Sequence, residues 1–196
     1  MEKIIPRWEW RTFGDKFEEQ ENLIQQNKQL SERESEEIYI LSQKSDDNTK
    51  IRDQLMDIKS PLRINPVGLE QWTVIMKAGF PIHINDLAVV YKAFGLNMPY
   101  LEKDEYSYEE YIENLIKKNR ELTLVNVKKH RFGYEIDGAI VEIADVSFND
   151  KTFRTVAVEH KDPDLVIKVL KKLQLYGKEN INYIKAMKTL TDLGSR

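Results

Sequence analysis

Arg7-Trp8-Glu9-Trp10-Arg11, close to the start of the chain, sets three charged side chains and two indoles at strictly alternating positions. An extended strand sorts this pattern cleanly. Successive side chains point to opposite faces, so Arg7, Glu9 and Arg11 share one face while Trp8 and Trp10 share the other. The strand is expected over Ile4 to Phe13, closed by Gly14 and Asp15. Its indoles need cover, which packed helices would supply. Where its charged face goes is the question on which the fold turns.

The same arrangement recurs along the chain. Lys50 and Arg52 share a strand face, as do Asp57 and Lys59, then Lys129 and Arg131, while Glu142 sits between Ile140 and Ala144. A Lys-x-Arg pair thus falls in each of two strand-rich halves. Two readings follow. In one, these are solvated outer faces whose cross-strand ion pairs each contribute roughly 0.2–1 kcal/mol. In the other, the sheet curls and the charged faces line an enclosure. Buried like charges are costly, so that enclosure would require counter-charge from a ligand or a metal.

Between these strands the chain reads as helices and turns. Residues 16 to 32 are polar with a thin apolar stripe and predict a partly exposed helix. Ser35 to Ser42 predicts a strand, and Lys50 to Arg52 with Leu55 to Lys59 a hairpin about Asp53-Gln54. Pro61 to Gly68 reads as a loop and Leu69 to Lys77 as a strand. Helical periodicity covers 84 to 96, with Asn85 as the expected cap, and Ser107 to Lys118, opened by a capping box. Strands follow over Leu122 to Phe132, Tyr134 to Ile136, Ala139 to Phe148 and Thr152 to Glu159, with Asp137-Gly138 as a hairpin turn. Asp162-Pro163 caps a helix running to Leu173, and Tyr183 to Leu190 closes the chain as a short helix. The pattern describes an α+β fold dominated by antiparallel sheet, organised as one domain over residues 1–196.

Composition narrows the function. Thirty basic and 33 acidic side chains give a net charge of −3, without the basic excess typical of nucleic-acid binders. There is no cysteine, which excludes disulfides and thiolate chemistry. No apolar run approaches the roughly 20 residues needed to span a bilayer, and the first residues lack the apolar core of a signal peptide. A cytoplasmic protein is expected, with neither membrane nor nucleic acid as partner. His83, His130 and His160 have no ligand-like spacing, and no Gly-x-Ser-x-Gly, Walker or Rossmann pattern occurs.

The order of these fragments resembles the CYTH, or triphosphate tunnel metalloenzyme, family over nearly the whole chain. The matching positions are Arg7-Trp8-Glu9-Trp10-Arg11, Lys50-Ile51-Arg52, Asp57-Ile58-Lys59, Lys129-His130-Arg131, Asp145, Ala157-Val158-Glu159 and Asn182-Tyr183. The resemblance implies an eight-stranded antiparallel β-tunnel, a closed barrel with helices packed outside. It implies a small polyanion as partner: tripolyphosphate, a nucleoside or thiamine triphosphate, or polyphosphate. Arg7, Arg11, Lys50, Arg52, Lys59, Lys129 and Arg131 would grip the phosphates. Glu9, Glu142, Asp145 and Glu159 would hold Mg²⁺ or Mn²⁺ for hydrolysis. Three positions depart from the family pattern. Arg7 stands for its first Glu, Arg11 for its Lys and Ala157 for the first Glu of its late pair, so two carboxylates are missing. Strict alternation also puts Glu142 and Asp145 on opposite faces unless a bulge intervenes. The alternative expectation is therefore a non-catalytic binding or sensing module that has lost part of the metal site.

Overall fold

The computed structural model describes residues 5–191; Ile4, where the first strand was expected to begin, lies outside them. Among the described residues, ten strands and five helices follow in chain order. β1 spans Trp8–Gly14, α1 Glu18–Gln25, β2 Gln29–Ser42, β3 Asn48–Arg52, β4 Leu55–Ile64, β5 Glu70–Gly79 and β6 Ile82–His83. Then come α2 Ile84–Ala93, β7 Glu105–Tyr106, and α3 Tyr108–Glu110, which continues as a π-helical turn over Tyr111–Ile116. β8 spans Leu122–Ile136, β9 Ala139–Phe148, β10 Lys151–His160, α4 Pro163–Lys172 and α5 Tyr183–Leu190. Eight strands close an antiparallel barrel in the order β1-β10-β9-β8-β2-β3-β4-β5, with β5 pairing back onto β1 and the helices outside; β6 and β7 form a separate pair. Among the described residues no helix is long and apolar enough to cross a membrane.

The chain divides into two compact units, each with its own apolar core. The first comprises residues 1–35, 61–72 and 128–182. In it, Trp8 and Trp10 of β1 join Val141 and Ile143 of β9 and Val156 and Val158 of β10 beneath Val166, Val169 and Leu170 of α4. The indoles thus find the helical cover that their spacing demanded. The second unit comprises residues 36–60, 73–127 and 183–196. There Ile40, Ile51, Met56 and Ile58 pack with Leu87, Val90 and Phe94 on and beside α2, and with Tyr111 and Ile116. In both units the alternate strand positions turn away from this helix-covered core, and those positions are where the charges sit.

Several elements differ from the sequence expectation, each for a physical reason. The helix expected over 16–32 stops at Gln25, and β2 begins at Gln29, although residues 29–34 are exposed. That stretch is an extended strand with almost no apolar surface of its own. β8 is one strand through Gly133, where a break was expected. A Cβ at Gly133 would stand 2.4 Å from Ser31 Oγ, so the glycine permits close approach of β2. β4 runs on through Pro61 to Ile64, where a loop was expected. The cap of α2 is His83, whose Nδ1 accepts from the Asn85 backbone N–H; Asn85 itself lies inside the helix. The expected turns are present: Asp53 and Gln54 both have positive φ, as do Asp137 and Gly138. Caps form at Ser107, with a reciprocal Glu110 side chain, and at Asp162.

Candidate functional site

In the first unit, strand register arranges the charged face in rows. Arg11 lies opposite Ala157, which lies opposite Glu142. The alanine methyl is too short to intervene, and the Arg11 guanidinium passes across it. Nη2 donates to Glu142 Oε1 at 2.9 Å and Nη1 to Thr155 Oγ1 at 3.2 Å. Thr155 donates its own proton to the Thr12 carbonyl at 2.7 Å, which leaves its oxygen facing Arg11 as an acceptor. The next row along is acidic, with Glu9 opposite Glu159 on β10 and opposite Glu70 on β5. Arg7, half-exposed, approaches Glu159 at 3.7 Å. Both Glu70 oxygens accept from Asn182 Nδ2, at 3.2 and 3.1 Å, and one also from the Trp72 indole at 3.2 Å. Asn180 ties the segment before α5 to this strand. Its oxygen accepts from the Arg11 backbone N–H at 2.8 Å, and its amide donates to the carbonyls of Gly68 and Glu9. Lys129 and Arg131 share a face of β8; Lys129 is buried, and Arg131 Nη2 donates to Ser35 Oγ at 3.1 Å. Arg131 Nε is buried without a partner among the described residues.

In the second unit the charged face centres on a carboxylate that sequence reasoning did not single out. The Glu37 side chain has no solvent exposure. Lys50 Nζ lies 3.2 Å from its Oε2 and Arg52 Nη1 3.4 Å from its Oε1. Burial draws the Lys50 ammonium below the ordinary lysine value, and the neighbouring Glu37 carboxylate partly offsets that pull. Lys50 also lies over the Tyr39 ring, which stacks on Tyr183 of α5. Asp57 is the register partner of Lys50, and Lys59 that of Asn48. One carboxylate thus holds two cations in fixed positions. Glu37 could have been found from its two-residue spacing to buried Tyr39, but its partners lie 13 and 15 residues away in the chain.

Asp145 is not brought to Glu142. The β9–β10 register runs without a bulge from Ile140–Glu159 to Phe148–Lys151, so Asp145 faces the other way, opposite Arg154. Arg154 Nη1 reaches Asp145 at 2.7 Å, while its Nε and Nη2 clasp both oxygens of Glu21 at 2.8 Å. These two carboxylates, Glu21 foremost, hold the guanidinium proton more tightly than usual. The group borders a cavity of about 530 Å³ lined also by Asp15 and Phe17. The histidines have local partners: His130 with Glu32 at 2.7 Å, and His160 accepting from the Asp162 N–H at 3.0 Å. Among the described residues no three acidic, histidine or cysteine side chains are gathered as ligands for one metal ion. Glu142 and Glu70 already accept from Arg11 and from Asn182, Arg7 stands 3.7 Å from Glu159, and Asp145 faces away, so the donor set as arranged does not fit a divalent cation.

No protein-family model matches the sequence, and no curated protein matches it. Solved structures share the fold. One is a Hippeastrum protein described as a candidate adenylyl cyclase with a dominant triphosphatase activity. It is 10% identical, with a TM-score of 0.53 over 93% of this chain and 95% of that one. A Pyrococcus horikoshii OT3 protein is 16% identical, with a TM-score of 0.51 over 91% and 98%. A Bacillus halodurans protein described as a candidate adenylate cyclase is 12% identical, with a TM-score of 0.50 over 97% and 100%. The likeness spans nearly the full length of both chains in each case.

Proposed function

We propose that this chain binds a triphosphate-class polyanion through the basic side chains on the charged strand faces. The observation that carries this reading is the Lys50–Arg52 pair held by the buried Glu37 carboxylate. Glu37 holds both cations, with Asp57 opposite Lys50 and Asp53 3.9 Å from Arg52, so the geometry of the site is set before any ligand arrives. Preorganised cations avoid the side-chain ordering cost that scattered surface lysines would incur. In the first unit, Arg131, with Nε lacking a partner among the described residues, and buried Lys129 supply further donors. Arg11 and Arg7, the latter the most exposed, are the other expected cations of the first unit, and Lys59 that of the second. The CYTH resemblance and the triphosphatase activity described for the Hippeastrum protein support a triphosphate over other anions.

Thermal shift with tripolyphosphate, ATP and thiamine triphosphate, with phosphate release followed in parallel, tests the reading. At a ligand concentration of about 100 times Kd, binding adds about 2.7 kcal/mol to stability and raises Tm accordingly. An unmoved Tm with all three ligands would contradict it. Release that requires Mg²⁺ or Mn²⁺ would establish metal-dependent hydrolysis on the same fold. Stabilisation without release would establish a binding module.

A further inference from the structure

We infer that arginines occupy the place of the divalent cation in this chain, so that its polyanion binds without a metal. The binding half of this inference rests on the function proposed above; the arginine half does not. On the first unit's charged face, Glu142 receives Arg11 at 2.9 Å, and that pair is the stronger, with side chains only 13% and 24% exposed. Glu159 receives Arg7 at 3.7 Å, a more exposed and weaker contact. Both oxygens of Glu70 are taken by Asn182, with the Trp72 indole added. Asp145 faces the opposite side of β9 and is held by Arg154.

The replacement is built into the register. Ala157 lies directly between Arg11 and Glu142, and a carboxylate there would stand in the path the guanidinium now takes. Arg7 stands just before β1 and brings a second positive charge toward Glu159, more loosely held than Arg11. Guanidinium stays protonated at every physiological pH and donates in a planar fork that matches phosphate oxygens. It neutralises an anion as a cation would, without needing ligands to converge. For a metal to take the Glu142 oxygen that Arg11 holds, the partly buried guanidinium would have to give up that ion pair.

Two measurements on the full chain decide the matter. Titration with Mn²⁺ alone, followed by electron paramagnetic resonance, should show wild type binding more weakly than about 1 mM, beyond the weak end of protein divalent-ion sites. The Arg7→Glu/Ala157→Glu double variant should bind measurably tighter. Micromolar Mn²⁺ binding by wild type that Glu142→Gln abolishes would overturn the inference. The wild-type titration decides this even if the double variant fails to fold. Calorimetric titration with tripolyphosphate should give affinities within about threefold in EDTA and in Mg²⁺. Binding that vanishes in EDTA would also overturn it. Absence of tripolyphosphate binding in both buffers would instead defeat the proposed function, leaving the Mn²⁺ result to judge the arginines.

Discussion

Glu37 is where the chemistry of single residues is most exposed to test. Its side chain is fully buried and holds Lys50 and Arg52, so Glu37→Ala leaves two cations without their shared partner. The expected loss is about 3–5 kcal/mol, read as a lowered urea midpoint. A loss below about 1 kcal/mol would show that the pair needs no internal counter-charge. Lys50 adds a pH dependence whose sign is fixed. Its folded-state pKa lies below the ordinary 10.5, chiefly through burial, so the unfolded chain binds the proton more tightly. The cost of burying the ammonium is fully present below the folded value and is relieved as pH rises toward 10.5. Wild type should therefore gain stability relative to Lys50→Met across that alkaline window; a pH-independent difference would contradict the assignment. Lys50, Arg52, Arg11 and Glu142 could each be picked out by spacing. That Glu37 joins the first two, and that Arg11 reaches Glu142 over Ala157, depends on strand register, which no local pattern encodes.

Elements were most legible where local chemistry acts alone. The Asp137-Gly138 turn, the Ser107 capping box and the Asp162 cap need only neighbouring residues to form, and Trp8 and Trp10 announce a strand by alternation. Replacing Asp162 by Ala should cost about 1 kcal/mol of stability through the lost bond to the Asp164 N–H. Elements set by non-local pairing were misread. The polar start of β2 looks helical, and its strand state is visible only beside its barrel neighbours. Gly133 looked like a break because glycine ends strands more often than it admits a neighbour. Gly133→Ala should cost less than about 1 kcal/mol, because the atom its methyl meets is the hydroxyl of exposed Ser31, which can rotate away. Adding Ser31→Ala removes that oxygen and leaves the Ser31 Cβ at 3.7 Å, an ordinary contact, so the double variant should recover whatever small loss the hydroxyl causes. A loss of several kcal/mol that Ser31→Ala does not recover would place the glycine's role elsewhere.

At the scale of the molecule, eight strands close on themselves through the β1–β5 pairing, which leaves the barrel no free sheet edge. Closure accounts for the two-faced character of the strands: apolar positions go to the helix-covered cores, and the charged positions to the other face. The sequence pattern alone reached an antiparallel α+β fold, and the eight-stranded tunnel came from the family resemblance. Full-length likeness to solved barrels at 10–16% identity is what a fold kept by periodicity would show, since alternation survives changes of residue type. The central claim is that the cations on the charged faces serve a polyanion. Calorimetric titration of tripolyphosphate into wild type and Arg52→Ala, each first confirmed as folded, tests it most directly. Single-site binding weakened about tenfold or more in the variant is the predicted result. Equal affinity in the two proteins, or no binding by wild type, would contradict it.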